Sequence, residues 1–135
     1  MKNPWILSIL IVLLAVNYCC AKEVDELKDD AQSAEQVYAE YVTAVHQGKI
    51  SRIKSLVYSQ SLLLWNKKTK TMLKMTQQTI PQSPRLISSR PEKEYQYNYM
   101  VLTYQGVNTD GKPVTGEIKM IVENGEWKVY QEVWK

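Results

Sequence analysis

Few residues in this chain could move a proton or hold a metal, and they are poorly grouped. There is one histidine, His46, and two adjacent cysteines, Cys19 and Cys20. The aspartates are Asp25, Asp29 and Asp30 near the start and Asp110 far along the chain, and no acid at all occurs between Tyr41 and Pro91. A general base must come within hydrogen-bond reach of the proton it takes, and this spacing brings no acid–base pair together. Zinc needs three or four nitrogen, sulfur or oxygen ligands, which one histidine does not begin to supply. Neighbouring cysteines are a bad disulfide pair, because a bridge needs separated, facing Cβ atoms. No glycine-rich phosphate loop and no G-x-S-x-G turn is present. The residues therefore point to a chain with no catalytic group, metal or cofactor of its own.

The N-terminus explains why the cysteines matter little. Met1-Lys2-Asn3 is followed by an apolar stretch from Pro4 to Val16, relieved only by Ser8. A basic start and an apolar core of this length are the layout of a secretory signal. The stretch falls short of the roughly 20 apolar residues that span a bilayer. Extended through Tyr18, Cys19, Cys20 and Ala21 it comes close, so a retained anchor stays open beside cleavage after Ala21. Lipidation of Cys19 or Cys20 is poorly supported, since Tyr18 and Cys19 precede them where a small residue belongs. Residues 1–21 are thus read as a signal peptide and the mature chain as secreted or periplasmic. The alternative is an anchored protein facing the same side.

The remaining 114 residues suit one domain. Acids crowd the beginning, seven between Glu23 and Glu40 against Lys28 alone. Nine bases and no acid then follow from Lys49 to Arg90. Acids favour a helix N-terminus and bases its later turns. That accounts for the first block and leaves a modest basic surface as a candidate contact. Lys67, Lys68, Lys70 and Lys74 beside Trp65 are a faint version of a nucleic-acid surface, better read as a solvated helix face on an exported chain.

Which elements would position any site? Residues 22–32 are a polar lead-in, and 33–135 hold the domain. Ala34, Val37, Tyr38, Tyr41, Val42 and Val45 recur at helical spacing. Ser33 with Gln36 suits an N-terminal capping box and Gly48 a left-handed C-cap. Ile50, Ile53, Leu56 and Val57 predict a second helix. Ser59 to Asn66 is an apolar, buried run of undecided type, and Lys67 to Gln78 suits a third helix with Met72, Leu73 and Met75 inward. After Arg85 the period becomes two: a short strand at 86–89, then strands at 95–107, 114–123 and 126–134. The last three are divided by Asp110-Gly111 and Asn124-Gly125, both strong hairpin signals.

If both turns are two-residue loops, Tyr99, Val101, Thr103 and Gln105 share an inward face with Gly116, Ile118, Met120, Val122, Trp127, Val129 and Gln131. Glu117, Glu123, Glu126 and Glu132 then point outward. One end of the inward face is dry, and the other groups Thr103, Gln105 and Gln131. Ligand sites pair apolar walls with a few polar groups. The expected ligand-binding set is therefore Tyr41, Tyr99, Thr103 and Gln131 over a closed end of Val101, Met120 and Trp127.

The Tyr38–Val45 helix with Gly48-Lys49, the Tyr95–Gln105 strand and the Glu123–Tyr130 hairpin with its GEWKV end follow one another in an order that resembles the nuclear transport factor 2-like superfamily. The resemblance covers about 100 residues and rests on order more than on any one motif. It implies an α+β fold, with N-terminal helices packed in a curved antiparallel sheet that forms a cone around a pocket. Members include enzymes, binding domains and assembly parts, so the fold alone does not give function. The expectation is an exported binding domain for a small apolar or amphipathic ligand. The alternatives are an interaction module of an envelope or secretion assembly, and a small lyase or isomerase. Partners are a small ligand or an envelope protein, with a homodimer left open. No nucleic acid is expected, and a membrane only if residues 1–21 or a lipid on Cys19 or Cys20 are retained.

Overall fold

Helical spacing of apolar residues lays down the first layer. The computed structural model describes residues 30–135. The expected signal segment and most of the expected polar lead-in lie outside them. Helix α1 occupies residues 30–46 of the described chain, so Ser33 sits inside the helix and caps nothing. Ala34, Tyr38, Tyr41, Val42 and Val45 are buried along one face, joined by Ala44. Gly48, at φ 67°, closes the helix: its amide donates to the Val45 carbonyl, and that of Lys49 to Ala44. Only glycine adopts that φ at no steric cost.

Three short helices follow: α2 Ile50–Leu56, α3 Ser59–Lys67 and α4 Thr69–Thr79. The undecided run is therefore helical, and it is less buried than its composition suggests. Trp65 is buried, but Leu63 and Leu64 are 64% and 54% exposed. Met75, expected inward, is 58% exposed, while Met72 and Leu73 pack against the core. A helix can turn only part of its surface inward, and in α3 Trp65 takes that place.

Strands β1 Arg85–Glu94, β2 Tyr97–Val107, β3 Pro113–Glu123 and β4 Glu126–Trp134 form one antiparallel meander in the order β1-β2-β3-β4. The expected short strand before Pro91 is longer than that and runs through it. An edge strand tolerates proline because its outward amide has no partner to lose. Tyr95, at φ 54°, turns the β1–β2 hairpin. Among the described residues the architecture is α+β, with four helices and a four-stranded antiparallel sheet.

Register is where the expectation from sequence needs correction. Asn124-Gly125 forms the two-residue turn it promises, with φ of 53° and 78°. Next to it Val122 faces Trp127 and Met120 faces Val129. The Asp110-Gly111 turn does not behave so simply. Asn108 closes a wider loop: its amide donates to the Lys112 carbonyl, and its Oδ1 accepts from the amides of Asp110 and Lys112. Tyr99 therefore pairs with Ile121 and Met100 with Met120. A one-residue slip turns every side chain over. Met100, Leu102 and Tyr104 join the core, while Tyr99, Val101 and Thr103 lie on the other face.

A second irregularity sits in β4. Tyr130 is an extra residue between the pairs Met120–Val129 and Lys119–Gln131, a β-bulge. Beyond it Ile118 faces Glu132 and Gly116 faces Trp134. Gln131 is consequently turned outward and exposed, and Glu132 inward. The expectation that Glu132 lies on the outer face is overturned.

Candidate functional site

A carboxyl carried into the interior needs hydrogen-bond partners, and α1 supplies them. Tyr38 and Tyr41 stand three residues apart, hence on one helix face. Tyr38 Oη donates to Glu132 Oε2 at 2.8 Å, and Tyr41 Oη donates to Oε1 at 2.7 Å. Tyr38 also packs against the rings of Tyr41 and Tyr104, with centroids 5.8 and 5.1 Å apart. Two residues beyond Glu132 and on the same face, Trp134 lies over Gly116. A Cβ there would meet the indole at 2.6 Å, so this seat requires glycine.

The electrostatics follow from burial. The Glu132 carboxyl has its pKa raised by desolvation, against which the hydroxyls of Tyr41 and Tyr38 pull downward. The indole N–H of Trp134 is near enough to pull the same way, but completes no hydrogen bond of ordinary geometry and is a buried donor without a partner. Both tyrosines have pKa values well above 10.0, first through their own burial and then through the Glu132 charge. They remain donors at any physiological pH. Among the described residues, Glu132 forms no salt bridge.

Glu132 is half-buried as a residue. It lines a cleft of about 280 Å³ between α1, α3, α4 and β4, together with Tyr41, Trp65, Met72, Thr76 and Trp134. The exposed Leu64 and Met75 line it as well. Among the described residues its lining holds one acidic residue and no lysine, arginine or histidine.

Of the residues expected to bind ligand, Tyr41 and Gln131 line this cleft, Gln131 as an exposed residue of its border. Met120 is fully buried in the core. Tyr99 stacks on Tyr130 across the sheet's other face, at 5.1 Å between centroids, and Thr103 lies on that face opposite Glu117. Trp127 packs against the core and borders a separate recess with Arg52, Leu56 and Lys128. The polar residues expected together on the inward face, Thr103, Gln105 and Gln131, do not meet there, and the polar group that the β4 bulge turns inward is Glu132. A signal for it was available: two tyrosines on an apolar helix stripe need hydroxyl partners when buried.

His46 is half-buried, with Nε2 3.2 Å from the Pro81 carbonyl, a structural contact away from the cleft. Among the described residues no group of three His, Cys, Asp or Glu could hold a metal ion, and no helix is long and apolar enough to cross a membrane. The sequence matches no family model and no curated protein.

Proposed function

We propose that the chain is an exported, non-catalytic binding domain with the cone architecture of the nuclear transport factor 2-like superfamily, taking a small amphipathic ligand in the cleft over Glu132. The observation that carries this is a tyrosine-held carboxyl in a cleft whose lining mixes apolar Trp65, Met72 and Trp134 with a few hydroxyl and amide side chains, Ser61, Thr76 and Gln131 among them. Pockets that hold small molecules combine such walls with a few fixed polar groups. At about 280 Å³ the cleft suits a small ligand. The order of helices before an antiparallel meander supports the cone, and the basic, apolar N-terminus supports export.

Binding is favoured over catalysis by what surrounds the carboxyl. Both its oxygens accept from tyrosines whose pKa values are raised, and no second acid or base lines the cleft. General acid–base chemistry wants groups matched to the working pH, and Glu132 stands alone. The reading is tested by titrating the ¹⁵N-labelled protein with n-hexylammonium or 1-hexanol and following the indole N–H signals. Shifts confined to Trp65 and Trp134 are expected. No shift with either probe, or shifts gathered elsewhere, would end it.

The alternative of an envelope-assembly module draws on the apolar row Leu63, Leu64 and Met75, each more than half exposed. Exposed apolar clusters often mark contact sites. On that reading Leu63→Ser abolishes cross-linking to envelope proteins and leaves probe binding unchanged.

A further inference from the structure

We infer that the ligand is cationic at its polar end: the cleft takes a small amphiphile headed by an ammonium group, which the Glu132 carboxylate meets. This rests on the cleft being a ligand site, and it adds the ligand's charge.

Among the described residues Glu132 is a buried-side carboxyl with no cationic partner. Glu92, Glu94 and Glu117 have Lys119 or Arg90 as partners, and Glu126 has Lys128. Glu132 is the more enclosed group, yet its partners are two neutral hydroxyls. Hydroxyl donors orient a carboxylate and satisfy part of it, but they do not neutralise it. Burial disfavours the charged form of this carboxyl, and a cation brought beside it would favour that form.

The stereochemistry leaves room for one. A carboxylate offers about four lone-pair positions, and the tyrosines occupy one on each oxygen. Glu132 keeps some accessible surface and lines the cleft. An ammonium reaching it would also lie among the rings of Tyr41, Trp65 and Trp134, whose faces attract cations. An anionic head would meet the carboxylate with no lysine, arginine or histidine in the lining to offset it.

The test compares three six-carbon probes by calorimetry at neutral pH: n-hexylammonium, 1-hexanol and hexanoate. Hexylammonium is expected to bind about tenfold or more tighter than hexanol, the margin of a charge-assisted over a neutral hydrogen bond, and hexanoate to bind weakest. Glu132→Gln should bring hexylammonium and hexanol to equal affinity. If hexanol or hexanoate binds as well as hexylammonium, or if the preference survives Glu132→Gln, the charge inference is wrong while the cleft remains a ligand site. If none of the three binds, the cleft reading fails and the inference with it. The ranking on the unaltered protein is decisive by itself, so a poorly folding variant does not blunt the test.

Discussion

On the outer face of the sheet Lys119 meets Glu92 at 2.9 Å and Glu94 at 3.1 Å, and Arg90 meets Glu92 at 3.0 Å. On the helix-covered face Glu132 meets two tyrosine hydroxyls and no cation. The same acid type answers to opposite physics. Lys119 holds the exposed Glu92 carboxyl below its ordinary value, whereas burial lifts that of Glu132 above it. Exposed pairs of the first kind are common and contribute little. A buried carboxyl without a counter-charge lowers stability, and such groups cluster where proteins bind or react. The contrast, more than either face alone, is what directs attention to the cleft.

The strongest test of the two faces is to truncate the packing of one. Met120 is fully buried, paired with Met100 on one side and Val129 on the other. Met120→Ala should cost about 2–5 kcal/mol, the range for emptying a buried methionine site, as read from urea unfolding. A cost below about 1 kcal/mol would mean that the helix-covered face is not the core.

The next test asks whether Glu132 behaves as a buried acid. Its raised pKa means that the folded protein holds this proton more tightly than the unfolded chain does. The group's stabilising effect is therefore full below its ordinary value of 4.5 and is lost as pH rises through the raised folded value. Glu132→Gln carries no such proton. Without ligand, the difference in Tm between variant and parent should move in the variant's favour from about pH 4 to about pH 7. A difference that stays flat would show that burial does not lift the Glu132 carboxyl, and the comparison would collapse.

How much of this could be read from sequence differs from element to element. The α1 stripe was legible because six apolar residues at helical spacing admit one face, and Tyr41 came with it. The Asn124-Gly125 turn was legible because two adjacent positive φ angles leave few other residues suitable. The wider loop at Asn108 was not, since it is closed by a side chain hydrogen-bonding to nearby amides, and Asp110-Gly111 signals a turn without stating its length. The Tyr130 bulge has no local signature. Between them, these two irregularities turned over β2 and the far end of β4, so the expected polar group was Thr103, Gln105 and Gln131 and the observed inward residue is Glu132.

The smallest expected effect completes the comparison on the outer face. Lys119 bridges two glutamates and lies 5.3 Å from the centre of the Tyr99 ring. Across the ladder it sits opposite Val101, which is only 1% exposed although it lies outside the core cluster. The aliphatic stem of a lysine can cover apolar surface while its ammonium stays in water. Lys119→Ala would therefore mix lost packing with lost charge, and Lys119→Met separates them by keeping most of the stem. Glu92 and Glu94 are about a third and half exposed, so solvent and salt already weaken their attraction to Lys119. Lys119→Met should change stability by no more than about 0.5 kcal/mol. What change there is should shrink further near 1 M salt, where charges are screened beyond about 3 Å. A cost rivalling that of Met120→Ala, or one indifferent to salt, would mean that the outer charges are held as tightly as the inner carboxyl. The contrast between the two faces would then single out no carboxyl as a ligand group.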